Sequence, residues 1–331
     1  MSERKIKWAI VGLGDIVRRR AGAAIIEQPD SILQACVTRD PDRKRAEIES
    51  LRPKEVYRDV GPMLADPNVD VVYLATPPSL HAPHAIAALK AGKDVLVEKP
   101  MAMNAVEAAE MCRVARHTGR RLAVAYYRRF WDRFQLAKDM LTRGEFGTVL
   151  LVRVAMHYWY RPEPTDPKGW RVEPELSGGG VTMDAGSHRL DLLAWWFDLP
   201  ETLVAKARND REKIDDSAVA LMTLTGGADA VVSFHWNSKT AGDEILILGS
   251  QASLSLLPCD GPELSLSRGD RLEHRQCPKP PNAHYPLIDD FARAVVEGRP
   301  PRFDGTEGAK ASQIMDAIYR SAAEGTWADV R

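Results

Sequence analysis

A lysine at the end of a short apolar stretch is the first residue in this chain whose position suits chemistry. Val95 to Val97 predict a buried β-strand, and Pro100 cannot extend a strand ladder, so the chain turns there. Lys99 therefore stands at the carboxyl end of a strand, the edge at which open α/β sheets bind their ligands. A solvated loop lysine is the alternative, because position alone does not distinguish it from a binding group.

A carboxylate, an imidazole and a second carboxylate at helical spacing form the other group suited to chemistry. Asp184, His188 and Asp191 follow the run Gly178-Gly179-Gly180. On a helix these side chains share one face, and a neighbouring carboxylate can hold an imidazole and raise its pKa. Such a histidine transfers protons near neutral pH. A core histidine tied to carboxylates is an open alternative, whereas a metal site lacks a clear set of further ligands and we expect no metal.

The elements that must position Lys99 begin with a glycine turn near the amino terminus. Ile6 to Val11 predict a short strand, and Gly12-Leu13-Gly14-Asp15-Ile16 follows directly, ahead of a helical pattern. The first glycine permits a tight turn, and the second lets the backbone approach a pyrophosphate at the helix amino end. Val17 occupies the usual third glycine position, so an ordinary strand-to-helix turn is the alternative to a dinucleotide site.

The end of the second predicted strand bears on the choice of nucleotide. Ser31 to Val37 leads into Thr38-Arg39-Asp40, with Arg43 nearby. A hydroxyl followed by arginine accommodates a 2′-phosphate, whereas an acidic residue there favours NAD. Arginine also supplies charge-assisted hydrogen bonds to phosphate. The pattern favours NADP over NAD, with two alternatives: the arginines belong to the surface of the next helix, or Asp40 binds a ribose.

Two domains are predicted from the order of the elements. Strands and helices alternate from residue 6 to 125, which predicts a doubly wound parallel Rossmann sheet. Beyond residue 126 the pattern predicts an α+β domain with a large, mainly antiparallel open sheet. We therefore assign residues 1–125 to dinucleotide binding and residues 126–331 to substrate binding and oligomerisation, with final helices that can pack back on the first domain. Residues 161–177 are rich in proline and charge and predict a long loop.

The composition excludes several classes of function. The 331 residues are 44% hydrophobic and 27% charged, with a net charge of −1. A near-neutral balance gives no argument for nucleic acid or an anionic membrane surface as a partner. No apolar run approaches the ~20 residues that span a bilayer. The four cysteines include no CxxC pair and no signal peptide precedes the first strand, so we expect a cytoplasmic protein.

The chain resembles the glucose–fructose oxidoreductase, inositol dehydrogenase and MocA family of NAD(P)-dependent oxidoreductases along nearly its whole length. The order and separation of four motifs make this resemblance specific. They are Gly12-Leu13-Gly14-Asp15-Ile16, Ala75-Thr76-Pro77-Pro78 through His81, Glu98-Lys99-Pro100, and Gly178-Gly179-Gly180 followed by Asp184-x-Gly186-x-His188-x-x-Asp191.

The resemblance implies roles for individual residues. Lys99 would contact substrate and nicotinamide, and Asp184 and His188 would serve substrate binding and proton transfer. Family members commonly pack the open sheet against a partner chain, so a homodimer or homotetramer is expected. Further cofactor contacts are expected from Thr76, Pro77, His81, Glu98 and Arg129, and further substrate contacts from Tyr127, Trp170 and Arg171.

The expected reaction is hydride transfer between a nicotinamide and a carbinol or carbonyl carbon of a sugar, cyclitol or related polyol. Lys99 would stabilise alkoxide charge, and His188 would pass the proton, alone or together with Lys99, with Asp184 orienting it or binding a neighbouring hydroxyl. Three alternatives are kept: glycosidase chemistry that uses NAD transiently, self-recycling sugar oxidation and reduction with a tightly held cofactor, and a non-catalytic NAD(P)-binding regulator. The retained lysine and histidine argue against the regulator.

Overall fold

The computed structural model describes residues 5–163, 165–209 and 213–330, which form two compact units. The first unit contains the described residues up to Tyr127 together with Pro280–Ala309, and the second contains Arg128–Lys279 and the described residues from Lys310 onward. The chain first passes from one unit to the other between Tyr127 and Arg128, next to the predicted boundary at residue 125. The first four residues, on which the expectation of no signal peptide partly rested, lie outside the described ranges.

The first unit is built on a six-stranded, fully parallel sheet, which confirms the predicted doubly wound fold. Its strands are β1 (Ile6–Val11), β2 (Ser31–Val37), β3 (Glu55–Tyr57), β4 (Val71–Leu74), β5 (Asp94–Val97) and β6 (Leu122–Val124). Their spatial order is β3-β2-β1-β4-β5-β6. Every residue of β4 and β5 is buried, as expected for strands with helices on both faces.

The helices of this unit connect successive strands and cover the sheet. Asn104 caps one of them, since its side chain accepts a hydrogen bond from Glu107 N at 2.9 Å, and Gly119 ends that helix with φ +63°. A π-helical turn, Val17–Ala21, precedes the first helix. The helices are α1 (Gly22–Glu27), α2 (Arg45–Leu51), α3 (Val60–Ala65), α4 (His81–Lys90) and α5 (Ala105–Thr118), joined by α9 (Tyr285–Val296) from the returning segment.

The second unit contains a nine-stranded sheet that is antiparallel except for one pair. Its strands are β7 (Val149–Trp159), β8 (Thr202–Arg208), β9 (Ser217–Thr223), β10 (Asp229–His235), β11 (Asn237–Gly249), β12 (Ser253–Leu256), β13 (Glu263–Arg268), β14 (Arg271–Gln276) and β15 (Ala328–Asp329). Their order is β14-β13-β12-β11-β7-β10-β9-β8-β15, and β7 and β10 pair in parallel. The predicted large, mainly antiparallel sheet is confirmed.

The described part of this unit has three helices before β8 and one near the carboxyl end of the chain. The predicted long loop at residues 161–177 is wrong in part, because Gly169–Val172 forms a 3₁₀ turn and a short helix follows with Pro174 at its first position. None of the helices within the described ranges is long and apolar enough to cross a membrane. The helices are α6 (Asp132–Thr142), α7 (Pro174–Ser177), α8 (Ser187–Phe197) and α10 (Gly305–Glu324), the last of which begins in the first unit.

Candidate active site

The carboxyl ends of the parallel strands bring together residues predicted to bind the cofactor. Strands β1 and β4 are neighbours, and the strand order runs away from them in both directions. The ligand crevice of a doubly wound sheet lies at such a reversal. Gly12 follows β1, Thr76 lies two residues beyond β4, and Lys99 lies two residues beyond β5. These three predicted residues therefore share one edge of the sheet.

The two glycines of the turn have different roles ahead of the first helix. Gly12 has φ +91°, and a Cβ there would lie 2.7 Å from the carbonyl oxygen of Ala75, so only glycine permits this approach of two strand ends. A Cβ on Gly14 would meet, among the described residues, nothing nearer than the same oxygen at 4.0 Å. The free space beside Gly14 fits a pyrophosphate at a helix amino end.

The residues after the glycine turn have partners within their own helix. Asp15 forms ion pairs with Arg18 at 2.7 Å and with Arg19 at 2.8 Å. Val17, at the usual third glycine position, is fully buried, and Ile16 is half-buried. Because the Asp15 carboxylate already faces two arginines, its contact with a cofactor stays a prediction, as does that of Ile16.

Thr76 presents a polar atom suited to a cofactor. Its Oγ1 is buried and has no hydrogen-bond partner among the described residues. His81 is buried, and its ring nitrogens lie 2.9 Å from the Pro100 oxygen and 2.8 Å from the Thr76 oxygen. Burial lowers the pKa of His81. The ring ties two loops together, so a cofactor contact through a ring nitrogen would have to replace one of these bonds. The predicted contact of Pro77, beside Thr76, stays a prediction.

Glu98 anchors the loop that carries Lys99. The Tyr73 hydroxyl donates a hydrogen bond to Glu98 Oε1, which also lies 3.2 Å from His284 Nε2. The backbone N–H of Lys99 donates to Glu98 Oε2 at 3.2 Å. Burial alone would raise the pKa of Glu98, but His284, Tyr73 and the Lys99 charge together hold it below its usual value. The His284 ring lies 4.6 Å from that of Tyr127, so the network extends to a predicted substrate residue.

The ends of β2 and β3 form the part of the edge that was predicted to contact a 2′-phosphate. Thr38 N donates to Tyr57 O at 3.0 Å, which joins the two strand ends. The side chains of Arg39 and Arg43 are exposed. Arg58, which sequence reasoning missed, donates from Nη1 to the Arg39 carbonyl oxygen at 3.4 Å. Its position directly after β3, beside the end of β2, was the available signal.

Asp184 and His188 lie on a segment that is not a regular α-helix throughout. Thr182–Gly186 forms a π-helical turn, and α8 begins at Ser187. A π turn bonds residue i to i+5, so Asp184 lies outside the regular α-helix on which the predicted spacing was argued. The Asp184 carboxylate pairs with Arg171 at 3.2 Å, and His188 is 7% exposed.

The second carboxylate of the motif forms a buried ion pair. Asp191 binds Arg129 in a bidentate arrangement, with nitrogen–oxygen distances of 2.7 and 3.0 Å, and both side chains are 1% exposed. Such a pair fixes α8 relative to the turn before α6, because separating it would leave an uncompensated buried charge. Arg129 therefore has a structural role that the sequence did not indicate, and its contact with a cofactor stays a prediction.

The run of glycines before Asp184 is explained by close packing in the second unit. A Cβ on Gly180 would lie 1.9 Å from the Asp215 backbone oxygen, and one on Gly179 would lie 2.2 Å from the Tyr319 hydroxyl. The Asp215 carboxylate accepts hydrogen bonds from Gly180 N at 2.6 Å, Tyr319 OH at 2.7 Å and Thr182 N at 3.0 Å. Asp215 and Tyr319, neither of them predicted, thus hold the segment that carries Asp184 and His188.

Replacing Gly180 by alanine should destabilise the protein. The new methyl group would overlap the Asp215 carbonyl, and overpacking of this kind costs about 1–3 kcal/mol or more. The measurement is the free energy of unfolding from urea denaturation. Gly169→Ala is the matched control, because a Cβ at Gly169 meets no described atom within 4 Å. Equal stability of the two variants would contradict this explanation of the glycine run.

Aromatic side chains surround the Arg171–Asp184 pair. The indole of Trp236 donates to the Tyr158 hydroxyl at 2.7 Å, and its ring lies 4.6 Å from that of Tyr160. Burial, with a smaller contribution from the Asp184 charge, raises the pKa of Tyr158 to about 12. Burial alone would lower the pKa of Arg171, but Asp184 raises it overall. Beside this cluster, the Arg171 guanidinium lies 5.7 Å from the ring of Trp170, so both predicted residues belong to it.

One group of possible metal ligands occurs among the described residues, outside the predicted motif. Asp243, Cys259 and Asp260 bring a ligand atom each within 4.8 Å of one another. Asp243 pairs with Arg189 at 2.6 Å, and Asp260 pairs with Arg128. Burial raises the pKa of the Cys259 thiol to about 12. Arginines thus already balance both carboxylates, and the thiol is neutral.

Matches to known families follow the two units. A family model described as an oxidoreductase family with an NAD-binding Rossmann fold matches residues 6–126, and the GFO/IDH/MocA C-terminal domain model matches residues 134–255. Fold and site thus define a nicotinamide-dependent oxidoreductase with a Rossmann domain. The chain belongs to the GFO/IDH/MocA family, which confirms the resemblance inferred from the motifs.

Named relatives match most of the chain. It is 27% identical to the 1,5-anhydro-D-fructose reductase of Ensifer adhaerens, with 98% of both chains covered. It is 28% identical to D-xylose 1-dehydrogenase (NADP(+)) 2 of Haloferax volcanii, covering 88% of this chain and 90% of that one. The solved structure of aldose-aldose oxidoreductase from Caulobacter crescentus, complexed with glycerol, has a TM-score of 0.89 at 27% identity, with 98% of this chain and 100% of that chain covered.

Proposed function

We propose that the protein is an NAD(P)-dependent dehydrogenase or reductase acting on a sugar, cyclitol or related polyol. The observation that carries the proposal is the shared edge of Gly14, Thr76 and Lys99, where an open backbone, an unsatisfied hydroxyl and a cation come together. A screen of polyols and aldoses with NAD and NADP, followed by nicotinamide absorbance, tests it. Cofactor-linked turnover supports the proposal, and no turnover on any member of a broad panel contradicts it.

The first unit fits a dinucleotide. The space beside Gly14 suits the pyrophosphate, and the Thr76 hydroxyl offers an unused hydrogen-bonding group. When bound, the nicotinamide supplies or accepts the hydride. Glu98 accepts a hydrogen bond from the Lys99 backbone N–H, so a buried network positions the backbone from which the ammonium extends.

Lys99 is proposed to bind the oxygen of the reacting carbon. An ammonium held at a strand end stabilises negative charge on that oxygen as the carbon–hydrogen bond breaks or forms. The same charge lowers the free energy needed to deprotonate a hydroxyl. This role needs Lys99 in its charged form, and the neighbouring Glu98 has a pKa held below its usual value, which favours its anionic state.

His188 is proposed to accept or donate the hydroxyl proton. A largely buried imidazole suits general acid–base work near neutral pH. Asp184 is proposed to bind a neighbouring substrate hydroxyl or to orient the histidine. Its ion pair with Arg171 supports an ionised carboxylate, which accepts hydrogen bonds and donates none.

NADP is proposed as the preferred cofactor. Support comes from two exposed arginines, Arg39 and Arg58, at adjacent strand ends, and from the NADP(+) in the name of the Haloferax relative. Arg39→Gln/Arg58→Gln is expected to raise KM for NADP by about tenfold or more, because charge-assisted bonds to the 2′-phosphate are lost. KM for NAD should change little.

Steady-state kinetics with both cofactors checks this preference. Arg45→Gln is the matched control, since Arg45 is an exposed arginine of α2 whose guanidinium pairs with Asp42 at 3.3 Å. If the double variant lost affinity for NAD and NADP equally, the two arginines would not be recognising the 2′-phosphate. An unchanged KM for NADP would equally contradict the assignment.

The substrate class is supported by the cluster around Asp184. Aromatic rings next to a carboxylate and a guanidinium suit a molecule with apolar ring faces and several hydroxyls. Tyr158, Tyr160 and Trp236 supply the rings, and Arg171 the cation. The names of the relatives, a reductase of 1,5-anhydro-D-fructose and a dehydrogenase of D-xylose, support the same class.

A homo-oligomer formed through the open face of the nine-stranded sheet is also proposed. Val219, Leu221 and Leu248 lie on one face, by strand register, and each is more than a third exposed, which is unusual for a solvated sheet face. Val219→Asp/Leu221→Asp is expected to convert a dimer or tetramer into monomers in sedimentation velocity. Val106→Asp, at a residue 78% exposed on α5, is the control. A monomeric wild type would contradict the proposal.

A reducing, cytoplasmic setting is also proposed. The free state of all four cysteines supports it.

A second candidate is self-recycling oxidation and reduction of two sugars with a retained cofactor. The similarity to a protein named aldose-aldose oxidoreductase favours it. Purified protein would then show nicotinamide absorbance without added cofactor and would convert sugars with no net change in that absorbance. A cofactor-free spectrum after purification contradicts this candidate and leaves the dehydrogenase proposal in place.

A further inference from the structure

A cavity of about 320 Å³ opens on the first unit, away from the predicted cofactor edge. It lies where the end of α5 and the start of β6 meet the segment that leads into α10. Arg121 and Leu122 stand at the amino end of β6, whereas the predicted cofactor residues follow the carboxyl ends of the strands. The cavity is therefore a separate site at the opposite edge of the sheet.

The wall of this cavity is strongly basic. Four arginines line it against a single carboxylate, that of Asp304. Cys112 also lines it, but burial raises the pKa of this thiol to about 11, so it carries no charge near neutral pH. The arginines are Arg116, Arg120, Arg121 and Arg299.

Two of the arginines form a fixed inner wall. Arg121 pairs with Asp94 at 3.0 Å and donates from Nε to the Arg299 carbonyl oxygen at 2.7 Å. Arg299 pairs with Asp290 at 3.1 Å and with Glu297 at 2.7 Å. Their charges are balanced by these carboxylates, so they shape the cavity without leaving an excess charge.

The other two arginines are not balanced in this way. Arg116 and Arg120 are exposed and form no ion pair with any residue in the described ranges. The carboxylate of Asp304 accepts hydrogen bonds from Thr306 N at 2.9 Å and Glu307 N at 3.2 Å, and so is used as the cap of α10. Arg116 lies in the last turn of α5, where a cation is favourable on its own. That explanation does not apply to Arg120, which lies beyond the helix end.

We propose that this cavity binds a small, multiply charged oxyanion, with a phosphate ester as the best fit. Two guanidinium groups at the mouth can each bind phosphate oxygens in a bidentate fashion. The volume is at the lower end of the roughly 300–1,000 Å³ typical of small-molecule sites, which suits a sugar phosphate or a comparable metabolite. This second site is independent of the proposed oxidoreductase activity.

Calorimetric titration with inorganic pyrophosphate tests the proposal. Wild-type protein is first saturated with NADPH, so that the predicted cofactor edge is occupied, and sodium chloride at equal ionic strength provides the blank. We expect saturable one-to-one binding that weakens by about tenfold or more in Arg116→Gln/Arg120→Gln. Arg113→Gln should bind as wild type, because Arg113 lies on the same helix, pairs with Glu110 at 2.6 Å and does not line the cavity.

Three results would overturn the proposal. The first is the absence of saturable heat when pyrophosphate is added to the wild type. The second is equal affinity of the wild type and the double variant for pyrophosphate. The third is a signal from the NADPH-saturated protein that disappears once the sodium chloride blank of equal ionic strength is subtracted. A parallel titration with citrate separates phosphate from polycarboxylate recognition, and tighter binding of citrate would contradict the phosphate-ester assignment. Circular dichroism of the double variant, which changes only exposed side chains, verifies that it is folded.

Discussion

Replacing Lys99 by alanine is expected to lower kcat/KM for the organic substrate by about a hundred- to ten-thousand-fold. The variant removes the cation proposed to stabilise the developing alkoxide. It should leave the loop backbone in place, because Glu98 is held from the interior by Tyr73 and His284 and bonds the backbone of residue 99 rather than its side chain. Cofactor affinity should therefore be kept while turnover is lost.

Steady-state kinetics and a fluorescence titration with NADPH separate these two effects. Lys99→Arg should retain part of the activity, since it preserves the charge but not the shape of the donor. Lys90→Ala, at an exposed lysine of α4, is the control for loss of a positive charge on the same unit. Near-wild-type kcat/KM in Lys99→Ala would remove this residue from the mechanism.

Replacing His188 by alanine is expected to lower kcat by about a hundredfold or more, because a positioned general acid or base is lost. The residue is 7% exposed on α8, and Asp191 on the same helix is fixed by Arg129. The helix should therefore keep its place in the variant. A loss of rate without a loss of unfolding free energy would separate chemistry from folding.

The pH dependence of kcat/KM provides the sharper readout for His188. Removal of the proton-transfer group should abolish one limb of the profile, which a merely structural histidine would not do. His274→Ala is a matched control, since His274 is an exposed histidine of β14 in the same unit. If the His188 variant had a reduced rate but an unchanged pH profile, the proton-transfer role would belong to another group.

The sheet edge was predictable from sequence because strand ends are local features. Val95 to Val97 and Pro100 locate the turn that carries Lys99, and the strand–turn–helix context locates Gly12. Parallel pairing then brings such ends to one edge without any long-range information. These local features left a dinucleotide site and an ordinary turn as alternatives; the resemblance carried by the motifs favoured the NAD(P)-binding class, and the family matches confirm it.

The supporting network was not predictable because its partners are distant in the chain. His284 bonds Glu98 across 186 residues, and Tyr319 bonds Asp215 across 104. Neither pair has a local spacing that could indicate it. The sequence pattern identified Tyr73 only as a residue of an apolar strand, although its hydroxyl donates a hydrogen bond to Glu98.

The segment that carries Asp184 departs from the expected regular α-helix for a local physical reason. The glycines before Asp184 pack against Asp215 and Tyr319, and a π turn follows them. A periodic pattern does not reveal a π turn, since the turn depends on packing rather than on propensity. The two strands of the β13–β14 hairpin differ in how visible they are in the sequence. In β13, the buried Leu264 and Leu266 alternate with serine, whereas β14 is polar and mostly exposed and has no apolar alternation to mark it.

The most direct test of the account compares wild type and Lys99→Ala on one panel of polyols and aldoses. Each protein is incubated with every substrate and either NADP or NADPH, and nicotinamide absorbance is followed. We expect at least one substrate to be oxidised or reduced by wild type with stoichiometric change of the cofactor, and none to be converted measurably by the variant. Equal cofactor turnover by both proteins would contradict hydride transfer assisted by Lys99, and substrate conversion with no net change of cofactor would contradict the dehydrogenase proposal in favour of the self-recycling candidate.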